Sequence, residues 1–142
     1  MTRISLDRAN AVVEAALAKG GELGLQPLTV AVLDAGGHLI ALGRQDGAST
    51  LRPQLAMAKA SGALALGVSS RRIGEMAAER PTFINSLGAI AAHGVVPAAG
   101  GVIVVDAEAR VIGAVGITGD TSDNDEVCAM AGIAAAGLQA QG

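Results

Sequence analysis

The chain has 142 residues, of which 51 % are hydrophobic and 16 % charged, and its formal net charge is −3. Ordinary domains carry nearer 25 % charge, so this composition excludes a disordered chain. The one cysteine, Cys128, excludes an internal disulfide framework. With ten Lys and Arg and a single aromatic residue, Phe83, there is no basic, aromatic-lined groove for nucleic acid. Charged or polar residues interrupt every apolar run before the roughly 18 residues a membrane span needs.

The length suits one domain over residues 1–142. Gly and Ala supply about a third of the chain, far above average usage. A core of such small residues gains its dispersion energy by close approach of backbones. With few charges to cover the outside, some apolar surface is expected to bury against copies of the same chain. Residues 1–25 carry Asp7, Glu14 and Glu22, which break any signal-peptide core, so a cytoplasmic location is expected.

In chain order, Ser5 reads as an N-cap, and Leu6, Ala9, Val13, Ala16 and Leu17 recur at helical spacing, predicting a helix from 5 to Leu23 that Gly24 stops. Leu28 to Asp34 and His38 to Arg44 are β-rich runs around Gly36-Gly37, which predicts a hairpin. An Ala-rich helix is predicted over 53–67, with Pro53 in its first turn. A shorter helix follows, capped by Ser69 or Ser70 and stopped by Pro81. Residues 82–100 read as a loop with one short helical piece. A second hairpin follows, Gly101–Asp106 with Arg110–Thr118, in which Gly113 and Gly116 predict close packing on that face. The acidic stretch Asp120–Glu126 leads into a last helix ending near Gly137, with Asp123 as its expected cap, Glu126 reaching back and Asp125 supporting the dipole. Tight turns between strands make the sheet mainly antiparallel and the class α+β.

Several of these segments resemble the GlcG/HbpS family. Val32-Leu-Asp-Ala-Gly-Gly-His-Leu39, followed by Arg44 and Asp46-Gly-Ala48, is similar to its first signature, and Ala56-Met-Ala-Lys-Ala60 to the helix after its hairpin. Gly100-Gly101, Val111-Ile-Gly-Ala-Val-Gly-Ile-Thr-Gly119 and Asp123-Asn-Asp-Glu126 resemble its second signature. The resemblance implies an α/β/α sandwich, profilin-like in arrangement, with a five-stranded antiparallel sheet flanked by helices. It also implies assembly as a homo-oligomer, from dimer to octamer. Relatives include secreted heme-binding sensors, the heme-binding C-terminal domain of PduO-type proteins, and members encoded with bacterial catabolic genes. This chain departs from the pattern at Ile103, where the family often has Pro, and lacks the aromatic residues that stack on a porphyrin.

His38 and His93 are the only histidines, and imidazole is a common axial ligand of heme iron. Their spacing fits polar turn residues equally well. Arg44 and Arg52 have the planar fork that grips a carboxylate or a heme propionate. Lys59, one of two lysines, stands alone in an Ala-rich helix as a candidate base or charge partner, with Asp46 as an acid. Ordinary ion pairs would explain the same residues. Cys128 reads as a small buried residue.

The leading expectation is therefore a small-ligand-binding protein holding heme or a related tetrapyrrole at a shallow site near an oligomer interface. His38 or His93 would lie near the iron, with Arg44, Arg52 or Lys59 on the propionates. One alternative is a lyase or isomerase acting on a small oxygenated carboxylate, with Lys59 or His38 as base. The other is a non-catalytic oligomeric scaffold.

Overall fold

A computed structural model describes residues 3–142. Helix α1 (Leu6–Glu22) starts at Ser5, whose hydroxyl accepts the Arg8 N–H. It leads into β1 (Thr29–Asp34) and β2 (Leu39–Arg44), the expected hairpin. Helix α2 (Arg52–Leu66) closes on Gly67 in the left-handed region. Helix α3 (Ser70–Glu79) is capped by Ser69, and α4 (Pro81–Leu87) follows after one residue. The second hairpin is β3 (Gly101–Val105) and β4 (Val111–Thr118). Helix α5 (Ser122–Ala135) and a two-residue strand β5 (Gln139–Ala140) complete the chain.

The five strands form one antiparallel sheet in the order β2-β1-β4-β3-β5. Alternate side chains enter two different cores, as a strand period of two dictates. Val30, Val32, Val102, Val104, Val115 and Ile117 face α1 and α5. Leu33 and Ala114 face α2, as do Ile103 and Val105 further along. The result is three layers, with β1, β3 and β4 buried on both sides. Among the described residues no helix is long and apolar enough to cross a membrane.

Glycines of β3 and β4 explain how small residues make a tight core. A Cβ on Gly116 would collide with the carbonyl oxygen of Ala56 in α2. One on Gly101 would strike the carbonyl of Lys59. Helix α2 therefore lies backbone to backbone on the sheet, the close approach the composition predicted.

The start of α5 differs from expectation. Thr121, not Asp123, is the N-cap, and its hydroxyl accepts the Asn124 N–H. Asp123 and Glu126 instead receive Arg71 of α3. Asp125 turns inward and is 1 % exposed. Strand β5 has no local signature in the sequence. It forms because the chain turns at Gly137 and lays Ala140 beside Val104.

Candidate functional site

The turn after β1 is built by Asp34. Its Oδ1 accepts the backbone N–H groups of Gly36 and His38, both at 2.9 Å. The same oxygen lies 3.2 Å from Nδ1 of His38. These contacts, the His38 N–H foremost, hold the Asp34 carboxyl below the usual carboxylate range. They also orient the ring: with Nδ1 beside an anion, Nε2 is left free and His38 remains exposed.

The ring borders a hollow of about 260 Å³ on the α2 side of the hairpin. Leu33 and Leu39 give it apolar strand walls, Met57 and Ser61 of α2 form the far side, and His93 closes it from the segment after α4. The two histidines thus converge on one hollow from segments distant in sequence. His38 also borders a wider, open groove between the hairpin turn and the start of α1.

The other candidates lie elsewhere. Arg44 ends β2, five residue steps from Leu39, or about 16 Å along the strand. It is exposed and donates to the Ala48 carbonyl rather than contacting Asp46. Arg52 opens α2 and donates to the hydroxyls of Ser49 and Thr118. Asp46 is exposed. Neither arginine shares the hollow with the histidines.

Lys59 is 4 % exposed, and its Nζ donates to the Ile117 carbonyl at 2.9 Å and to Asp125 Oδ2 at 3.2 Å. Burial pulls Lys59 below its ordinary value, with Asp125 opposing, and pushes Asp125 up. Both charges are disfavoured by desolvation more than their attraction restores. Asp125 Oδ1 also accepts the Asp120 N–H. The pair joins α2 to α5 around the end of β4 and lines neither the histidine hollow nor the groove beside it. Cys128 is buried, and burial raises its thiol.

Among the described residues no cluster of His, Cys, Asp and Glu could hold a metal ion by protein ligands alone. The hollow instead offers two imidazoles, one thioether and an apolar wall. This donor set fits an iron already held in a flat apolar ring. At about 260 Å³, it falls below the roughly 300–1,000 Å³ of enclosed ligand sites. It would take the edge of such a group rather than engulf it.

Fold and hollow together define a small three-layer α/β/α domain with an imidazole-rimmed hollow beside its first hairpin. The chain belongs to the HbpS-like family: the model of that family, described as "Haem degrading protein HbpS-like", matches residues 4–134. The structure of a PduOC–heme complex is 22 % identical with a TM-score of 0.87, the match covering 99 % of each chain. That of HbpS is 27 % identical with a TM-score of 0.80, over 94 % of this chain and 90 % of that one. The protein ORFY of Klebsiella pneumoniae is 23 % identical with a TM-score of 0.86, over 96 % and 92 %. No curated relative matches the chain.

Proposed function

We propose that this chain is a heme-binding domain that takes heme, or a related tetrapyrrole, at the His38–His93 hollow. The observation that carries the reading is that the two histidines of the whole sequence border one apolar hollow. Membership of the HbpS-like family and the shared fold of PduOC, a protein crystallised with heme, support the same ligand class. Bound heme would supply an iron centre for ligand binding and redox chemistry. The chain's own residues do the rest. Asp34 fixes the His38 ring, His93 borders the same hollow from the segment after α4, and Leu33, Leu39 and Met57 keep water from the buried edge. A shallow hollow fits reversible loading. A second copy of the chain would cover the exposed remainder, giving the homo-oligomer its role.

The test is an absorbance titration with hemin. The protein has no Trp and no Tyr, so it contributes almost nothing to the near-ultraviolet spectrum. A Soret band that shifts and saturates, weakens in His38→Ala and His93→Ala and vanishes in the double variant, is the expected result. Hemin that stays unshifted and separates from the protein on gel filtration would overturn the reading.

A further inference from the structure

A second cluster lies at the other end of the first hairpin and plays no part in the heme reading. Thr29 pairs with Arg44 on one side and with Thr118 on the other. Residues directly opposite in antiparallel strands share a face. Gly116, two residues before Thr118, faces α2, so Arg44, Thr29 and Thr118 face the α2 side as well. Arg52, the first residue of α2, donates Nη1 to Thr118 Oγ1 at 2.8 Å and Nε to Ser49 Oγ at 3.2 Å. Arg44 donates Nη1 to the Ala48 carbonyl at 2.9 Å. The two guanidiniums are thus tethered to consecutive residues of one loop.

Three further observations point to an anion. Neither arginine has a carboxylate at ion-pairing distance among the described residues, although Arg71, Arg72 and Arg110 do. Helix α2 starts with no side-chain cap and no acidic residue in its first turn, so its positive end is uncompensated. Independently, Thr29 is 0 % exposed, and its Oγ1 is the one buried side-chain polar atom without a hydrogen-bond partner among the described residues. Native structures rarely leave such a group unpaired, and here it stands in the row between Arg44 and Thr118. Two guanidiniums held on one loop, one of them beside Thr118 and the other at the end of the strand row that contains the unpaired hydroxyl, lack an acidic partner.

We propose that Arg44, Arg52, Thr29 and Thr118 form a second binding site, for a small carboxylate, separate from the imidazole hollow. The guanidinium fork matches the two oxygens of a carboxylate, and the Thr29 hydroxyl supplies a further donor.

Differential scanning calorimetry of the full chain tests this, using sodium oxalate as probe, with sodium phosphate and sodium chloride at equal ionic strength as comparisons. The expected result is a saturable rise in Tm with oxalate beyond that with chloride. Arg52→Gln and Thr29→Val lose the rise. Arg44→Gln, altered on an exposed side chain and so safe for folding, weakens the apparent affinity about tenfold or more. Hemin titration of Arg44→Gln matches the unaltered protein. An Arg44→Gln protein that keeps the full oxalate response overturns the site. A response to phosphate alone overturns the carboxylate assignment. Loss of hemin binding in Arg44→Gln overturns the separation of the two sites.

Discussion

Lys59 Nζ lies 3.2 Å from Asp125 Oδ2, with the two side chains 5 % and 1 % exposed. An alanine at 59 leaves the Asp125 carboxylate buried without its partner. Lys59→Ala is expected to destabilise the fold by about 3–5 kcal/mol. The double variant Lys59→Met with Asp125→Asn should recover a large part of that loss. It buries no charge, and the amide oxygen still accepts the Asp120 N–H. Urea unfolding of both variants checks the order. A Lys59→Ala protein as stable as the parent would contradict it.

Gly116 and Gly21 make a contrasting pair. A Cβ on Gly116 meets the Ala56 backbone, whereas one on Gly21 meets nothing within 4 Å. Gly116→Ala should cost about 3 kcal/mol or more, because α2 must lift from the sheet. Gly21→Ala, inside α1, should stabilise by about 0.5 kcal/mol. Thermal unfolding of the two variants reads the opposite signs directly.

Ser61 lies on the α2 wall of the hollow and is half-buried. Ser61→Leu fills that space from a helix that keeps its place. Hemin affinity should fall at least tenfold while stability stays within about 1 kcal/mol of the parent. Unchanged hemin binding would move the ligand away from this hollow.

Acid stability follows from four carboxylates. Asp34, Asp106 and Asp120 are held below the ordinary range, by the N–H of His38, the N–H of Arg110 and the side chain of Asn124 respectively, each the largest of several contacts. Depressed folded values give stability that is fully present above about pH 4 and lost as pH falls through them. Asp125 has the opposite sign: its raised value costs stability at neutral pH, and that cost is relieved as pH falls through the folded value. Asp106→Asn should therefore lower Tm at pH 7 and flatten its fall below pH 4. Calorimetry from pH 7 to 3 measures both.

Much of the frame is legible in the sequence for local reasons. Ser5 and Ser69 cap their helices because each offers an oxygen to a free N–H three residues on. The Gly36-Gly37 turn and the short apolar runs on either side set the first hairpin. The remainder depends on partners distant in the chain. Asp123, Asp125 and Thr121 are all acceptable at a helix start. Lys59, reached around the end of β4, and the Asp120 N–H draw Asp125 inward, and Thr121 becomes the cap. Lys59 is conspicuous in an Ala-rich helix, but the sequence does not say which carboxylate meets it. Likewise His38 and His93 are visible as the sole imidazoles, while their shared hollow is a long-range contact. The unpaired hydroxyl of Thr29 has no sequence signal, because a β-branched residue is ordinary in a strand.

The backbone contacts at Gly101 and Gly116 also bear on movement. Where a helix rests on carbonyls and α-carbons rather than on side chains, no rotamer change can let it slide or lift. Helix α2 is therefore a fixed wall, and Met57 and Ser61 keep their positions whatever enters the hollow beside them. Any widening would fall to the hairpin turn at Gly36-Gly37, since Val95, two residues after His93, also lies backbone-close on α2, 3.2 Å from where a Cβ on Gly62 would stand.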